Sequence, residues 1–121
     1  MCKLRKIRKI RFEQQGGRCH YCGLPMWQDD AAFFAQVHGL SRKRARWLQA
    51  SAEHLVARCD GGPDKLENIA AACIWCNKRR HSVKKVKAPE AYQKWVQRLM
   101  AQGKWHPASG ASGLTATTAP R

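Results

Sequence analysis

Two Cys-x-x-Cys pairs constrain the fold of this chain more than any other feature. Cys19 and Cys22 form the first pair, and Cys73 and Cys76 form the second. Zinc is bound tetrahedrally by thiolates, and the two-residue spacing lets both sulfurs of a pair reach one ion, so four cysteines complete a closed site. We therefore predict a structural Zn²⁺ whose binding energy supports folding, with redox or disulfide chemistry as the alternative uses.

The charge of the chain predicts a polyanionic partner. Of 121 residues, 23 are Lys or Arg and 8 are Asp or Glu, which gives a net charge of +15. Nucleic acid is the usual partner of such a chain, and an anionic membrane surface is the weaker alternative. No run approaches the roughly 18–20 apolar residues that cross a bilayer, and the basic N-terminus lacks the apolar core of a signal peptide. We therefore expect a cytoplasmic protein that does not bind membranes, in a compartment where disulfides are uncommon.

Composition divides the chain into an arm, a domain and a tail. Residues 1–15 are basic, and their apolar side chains recur every three positions. This pattern predicts a short helix whose apolar face packs on the domain, or else an arm that becomes ordered on nucleic acid. Residues 16–105 are predicted to form the domain. Residues 106–121 lack an apolar period and are predicted to be disordered.

Two helical regions are predicted within the domain. Residues 29–50 are interpreted as an inserted helical hairpin, in which Asp29 or Asp30 caps the first helix and Ser41 caps the second. An amphipathic helix is predicted over residues 89–102, where apolar residues recur with helical spacing behind an initial proline. We expect this apolar stripe to pack in the core.

The stretch AEHLVARCDGGPDKLENIAAACIWCNKRRH contains an ordered series of local features. An acid–histidine pair on a strand is followed by a Gly-Gly turn, an asparagine, a second short strand and a helix that starts at the second Cys-x-x-Cys pair. Taken with the first cysteine pair, residues 53–81 resemble the HNH endonuclease family. The resemblance implies a small α+β fold with a ββα-metal (HNH) core at residues 51–83, to which the zinc site, the helical hairpin and the C-terminal amphipathic helix are added.

The resemblance also implies hydrolysis of DNA phosphodiester bonds, with a role for each matching residue. His54 is the implied general base, and Asn68 is implied to orient it by a hydrogen bond across the loop. Glu53 and Asn77 are the implied ligands of one divalent cation, Mg²⁺ or Mn²⁺, with His81 as the reserve ligand one helical turn beyond Asn77. The chain departs from the family pattern in two places, because Asn77 stands where His is often found and Glu53 where Asp is frequent.

A structural interpretation of the acid–histidine pair remains open. Glu53 could form an ion pair with Arg58 or a nearby lysine, and His54 could occupy an ordinary strand position. Neighbouring side chains on a regular strand point to opposite faces, so both residues can serve one ion only if the strand twists or ends there. The corresponding alternative function is a zinc-stabilised nucleic-acid-binding protein without catalysis.

Double-stranded DNA is the partner that the resemblance implies, in a protein that we expect to be bacterial or from a phage. Three basic segments, 3–11, 42–46 and 78–87, could line one face and contact phosphates. The candidate DNA-binding residues are Lys6, Arg8, Lys9, Arg42, Lys43, Arg44, Lys78, Arg79 and Arg80.

Overall fold

A two-stranded sheet and the helix that follows it form the centre of the protein. The computed structural model describes residues 2–109. Two single-turn 3-10 helices, Arg58–Asp60 and Leu66–Asn68, lie in the loop that joins the strands. The predicted small α+β fold is confirmed. In chain order the elements are α1 (Lys3–Gln14), α2 (Ala31–His38), α3 (Arg42–Arg46), β1 (Ala50–His54), β2 (Ile69–Cys73), α4 (Ile74–Arg80) and α5 (Pro89–Ala101).

The sheet is antiparallel, and its second strand is fully buried. β1 and β2 pair so that Glu53 lies opposite Ala70. The outer edge of β2 is completed by the side-chain amide of Gln15, which donates to the carbonyl of Ala71 at 2.8 Å and accepts from its N–H at 3.0 Å. Strand edges need such partners when they are buried. The residue after α1 thus attaches the N-terminal helix to the sheet.

The basic N-terminal segment is helical, but its apolar face packs less than the spacing predicts. Ile7 is buried, whereas Ile10 is 44% exposed. Polar contacts supply the remaining attachment, since Nε of Arg11 donates to the carbonyl of Ile69 at 2.9 Å. Hydrogen bonds from Arg11 and Gln15 therefore add to the apolar contacts that hold this helix on the sheet.

The predicted hairpin insertion is present as α2 and α3, and its boundaries follow local capping rules. Asp30 accepts a hydrogen bond from the N–H of Phe33 at 3.0 Å, and Ser41 accepts one from the N–H of Arg44 at 3.1 Å. Gly39 ends α2 in the left-handed region at φ 64°. These caps satisfy N–H groups that have no partner inside a helix.

The longest helix, α5, begins at Pro89 and buries Tyr92 and Val96. The apolar stripe predicted for residues 89–102 therefore packs in the core as expected. Across the described residues, 2–109, no helix combines the length and apolar character needed to span a membrane.

The chain remains packed beyond the predicted start of the tail. His106 is 5% exposed and Ala108 is fully buried. The boundary predicted at residue 106 is therefore too early, because a buried histidine and alanine contact the core without an apolar period that sequence inspection could detect. The remainder of the predicted disordered tail, residues 110–121, lies outside the described residues.

Candidate metal centre and active site

The structure brings the four predicted zinc ligands into one buried cluster. The sulfur atoms of Cys19, Cys22, Cys73 and Cys76 all lie within 4.8 Å of one another, and each residue is at most 1% exposed. Sγ of Cys22 is 3.9 Å from Sγ of Cys73, close to the ~3.8 Å separation of two sulfurs at ~2.3 Å from a tetrahedral ion. The cluster is suited to a structural metal such as zinc.

Local backbone geometry places these cysteines. Gly23, at φ 76°, closes the first pair into a turn, and Cys73 is both the last residue of β2 and the N-cap of α4. The N–H of Cys73 donates to Sγ of Cys19 at 3.3 Å. Burial raises the pKa of the Cys73 and Cys76 thiols. A cation would offset this cost of charge, which fits a metal-binding role.

Two residues near the end of the described chain surround the cysteines. Nε1 of Trp105 donates to Sγ of Cys76 at 3.3 Å. His106 accepts at Nδ1 from the N–H of Ala108 at 3.0 Å, so its neutral ring carries hydrogen on Nε2, which lies 3.6 Å from Sγ of Cys73. Burial lowers the pKa of His106 to about 4, so the ring is neutral at pH 7. Such donors orient metal ligands.

Glu53 is buried, and its carboxylate has two assigned hydrogen-bond donors and a nearby histidine nitrogen. Its Oε2 accepts from the hydroxyl of Tyr21 at 2.8 Å and from a guanidinium nitrogen of Arg80 at 2.6 Å. Its Oε1 lies 2.9 Å from Nε2 of His81. A buried carboxylate needs such partners. The expectation that Glu53 could form an ion pair with Arg58 is therefore wrong, because the cation paired with Glu53 is Arg80.

Arg80 is a structural cation inside the protein. It is 4% exposed, and besides Glu53 it donates to the carbonyls of His54 at 3.2 Å, Leu55 at 3.0 Å and Lys87 at 3.1 Å. The expectation that Arg80 contacts phosphate is therefore corrected, because its guanidinium is already occupied. The planar fork of donors on arginine suits such multiple pairing.

His54 is paired with an acid that the sequence analysis missed. Its Nε2 lies 2.7 Å from Oδ1 of Asp64. Arg58 in turn contacts both carboxylate oxygens of Asp64, at 2.9 Å and 3.3 Å. These bonds, first from His54 and then from Arg58, lower the pKa of Asp64. Asp64 is therefore ionised at neutral pH.

Asn68 shapes the loop and does not bond the imidazole of His54, which corrects the predicted contact. Its Oδ1 accepts from the N–H of Val56 at 2.9 Å, and its Nδ2 donates to the carbonyls of Val56 and Pro63, both at 3.0 Å. Gly62 lies so close that a Cβ there would overlap the carbonyl of Val56. An asparagine amide can pair with backbone or with side chains, and the sequence does not decide between them.

Three of the four predicted catalytic residues, Glu53, His54 and Asn77, lie at one cleft beside the end of β1, and the fourth, Asn68, does not line it. Glu53, His54, Asn77 and His81 all line this cavity of about 380 Å³. Although Glu53 and His54 are neighbours on a strand, both border the cleft because β1 ends at His54. Nδ2 of Asn77 donates to Oγ of Ser51 at 3.0 Å, so its Oδ1 is the atom that a cation could use.

The candidate DNA-binding residues differ in whether their charged groups are exposed and free to contact phosphate. Arg8 is half-buried and donates to Oε1 of Gln28 at 3.2 Å, and the guanidinium of Arg79 lies 3.2 Å from the ring centroid of Trp75. The exposed candidates are Lys6, Lys9, Arg42, Lys43, Arg44 and Lys78.

The fold and the cysteine cluster together define a small α+β domain with a ββα core and a site for a structural metal. Residues 41–83 match the family model of the HNH endonuclease. This part of the chain is an HNH domain, and the predicted family resemblance is confirmed. Domains of this family are generally nucleases that act on nucleic acid. Comparison with curated proteins and with solved structures gave no match.

Proposed function

We propose that this protein is a metal-dependent endonuclease that hydrolyses DNA phosphodiester bonds. The observation that carries the proposal is the convergence of Glu53, His54, Asn77 and His81 on one cleft, inside the segment that matches the HNH family. A domain that only bound nucleic acid would have no evident use for this combination of a base candidate and metal-ligand candidates.

The chemistry assigned to His54 is that of a general base. A neutral imidazole takes a proton from a water molecule, whose oxygen forms a bond to the scissile phosphorus. The bond from phosphorus to the 3′ oxygen breaks, and that oxygen leaves with a proton from solvent. Water is thus divided between a 5′ phosphate and a 3′ hydroxyl. A divalent cation, when bound, stabilises the negative charge that develops on the phosphate.

The chain offers a mixed set of cation ligands at this cleft. Oε1 of Glu53 and Nε2 of His81 lie 2.9 Å apart and face the same space, which favours His81 as a ligand alongside Asn77. A carboxylate, an amide oxygen and an imidazole suit Mn²⁺ or another first-row ion better than the all-oxygen shell that Mg²⁺ prefers. Because Arg80 already neutralises Oε2 of Glu53, we expect weak cation binding.

The exposed cations favour duplex DNA as the substrate. Arg42, Lys43 and Arg44 lie together on α3, and phosphate contacts of this type give affinity without sequence choice. The net charge of +15 supports the same partner.

Cleavage of a supercoiled plasmid tests the proposal. We expect purified protein to nick the plasmid with Mn²⁺ and less efficiently with Mg²⁺, while His54→Ala loses about 10²- to 10⁴-fold in rate, the usual contribution of a general base. Both proteins should retain one zinc per chain and bind the plasmid equally. Equal nicking by wild type and His54→Ala would identify contamination. Binding without His54-dependent cleavage would instead favour the non-catalytic nucleic-acid-binding protein.

A further inference from the structure

We propose that Asp64, held by Arg58, is the positioning residue for His54. The inference rests on the proposed function, because it concerns the same general base. The orienting role then belongs to a charged side chain in the turn between the strands. Asn68, the asparagine of the family pattern, makes its described hydrogen bonds only to backbone groups of that loop.

The contact with Asp64 selects which ring nitrogen can act. An ionised carboxylate only accepts hydrogen bonds, so the 2.7 Å contact requires hydrogen on Nε2 of His54. In the neutral ring Nδ1 then has the free lone pair and is the atom that can receive a proton from water. When the ring becomes protonated, the charge on Asp64 stabilises the imidazolium. One carboxylate thus fixes the tautomer, limits ring rotation and stabilises the product of proton transfer.

Arg58 holds the carboxylate in the orientation that His54 needs. Its Nη2 donates to Oδ2 at 2.9 Å and its Nε donates at 3.3 Å to Oδ1, the oxygen that also contacts His54, so the carboxylate is held at both oxygens. Two-point pairing of this kind adds geometric definition even where its energy is small. The side chain of Arg58 is 63% exposed and that of His54 is 14% exposed. The contacts from Arg58 through Asp64 to His54 therefore run from the protein surface to the cleft.

The loop itself is built to present Asp64. Asn68 joins the backbone of Val56 to that of Pro63, the residue before Asp64. Gly62 lies so close to the carbonyl of Val56 that no side chain fits there, which keeps the two ends of the loop close together. The Gly-Gly turn and the asparagine of the pattern therefore act on His54 indirectly, by setting where Asp64 lies.

A simpler role for Asp64 is a surface ion pair with Arg58 that affects only loop stability or the local field. The two roles predict different behaviour. A purely electrostatic role would make removal of any acid in this loop strengthen DNA binding without slowing cleavage. A positioning role requires cleavage to slow while DNA binding stays the same or tightens.

The experiment compares Asp64→Ala and Asp64→Asn with Asp60→Asn, a matched change at an exposed acid of the same loop. The first readout is the nuclear magnetic resonance signal of the Nε2–H proton of His54, assigned by its absence in His54→Gln. A strong hydrogen bond protects this proton from exchange with solvent. We expect the signal in wild type and in Asp60→Asn. In Asp64→Asn, whose amide oxygen can still accept, the signal should remain but move to a smaller downfield chemical shift. In Asp64→Ala it should be lost.

The second readout is single-turnover plasmid cleavage with saturating protein. We expect Asp64→Ala to slow cleavage about 10- to 100-fold, as a misplaced catalytic group does, Asp64→Asn to slow it less, and Asp60→Asn to match wild type. If Asp64→Ala unfolds, the comparison of Asp64→Asn with Asp60→Asn decides the question.

The outcomes separate this inference from the proposed function. If wild type cleaves through His54 while both Asp64 variants cleave at the wild-type rate, the positioning role is overturned and the nuclease stands. If wild type does not cleave, the nuclease proposal fails, and the proton signal still reports whether Asp64 orients His54. A signal that persists unchanged in Asp64→Ala also overturns the inference.

Discussion

The hydroxyl of Tyr21 donates a 2.8 Å hydrogen bond to Oε2 of Glu53, and this bond links the cysteine cluster to the cleft. Tyr21 lies between Cys19 and Cys22 in the first cysteine pair and is fully buried. Burial, and then the charge of Glu53, raises the pKa of Tyr21, so its hydroxyl remains a donor at neutral pH. The segment that carries the first cysteine pair therefore also orients Glu53, the candidate cation ligand.

Replacement of Tyr21 by Phe tests this link. The change keeps the ring but removes a donor to a charged acceptor, so we expect the free energy of unfolding to fall by about 1.5–3 kcal/mol in zinc-saturated protein. Because one oxygen of Glu53 loses a partner, plasmid cleavage should also fall, while zinc content stays at one per chain.

The matched control for that experiment is Tyr92→Phe. The hydroxyl of Tyr92 is also buried, and it donates to the neutral carbonyl of Cys76 at 2.8 Å. Its loss should cost only about 0.5–1.5 kcal/mol and leave cleavage near the wild-type rate. Equal losses of stability and activity in the two variants would show that the bond from Tyr21 to Glu53 has no special importance.

Adjacent arginines on α4 should differ strongly in their contribution to stability. Arg80→Leu leaves the buried carboxylate of Glu53 without its cation, so we expect a loss of about 3–5 kcal/mol in chemical denaturation. Arg79→Leu removes a half-buried cation from the face of Trp75 and should cost about 0.5–2 kcal/mol. A similar cost for both would mean that the hydrogen bonds of Tyr21 and His81 are enough to stabilise the buried carboxylate of Glu53 without Arg80.

The two kinds of cysteine in the chain should respond differently to substitution. Cys73→Ala removes a buried ligand from the cluster, so zinc should be lost and the far-ultraviolet circular dichroism spectrum should show unfolding, because structural zinc binding contributes about 10–16 kcal/mol in small domains. Cys59 is exposed, and Cys59→Ala should keep one zinc per chain and the wild-type melting temperature. Retention of zinc and fold by Cys73→Ala would contradict the assigned ligand set.

Local chemistry made much of this structure predictable. The cysteine spacing indicated which four side chains meet, and the caps at Asp30 and Ser41 follow from short polar side chains at helix starts. These inferences need only a few neighbouring residues, or a ligand whose coordination geometry is strict.

The contacts that the sequence did not reveal depend on how separate segments pack. Asp64 meets His54 because the Gly-rich turn folds back over the end of β1, and no local pattern specifies that return. The run of cations around Arg80 predicts an exposed side chain, yet Arg80 is buried, with Glu53 as its buried counter-charge. In both cases the residue type was informative, but its partner was a matter of tertiary geometry.

The salt dependence of DNA binding should locate the phosphate contacts on α3. In a His54→Ala background, which prevents cleavage, we expect replacement of Arg42, Lys43 and Arg44 by Gln to reduce the slope of log affinity against log salt by about 2–3, since each lost phosphate contact changes it by about 0.9. Fluorescence anisotropy with a labelled duplex measures this slope.

The control replaces Lys94, Arg98 and Lys104, which are exposed and lie outside the three basic segments. It removes the same charge and should change the slope by less than one contact. Equal changes in the two triple variants would mean that affinity comes from the net charge of the protein and not from a defined surface on α3.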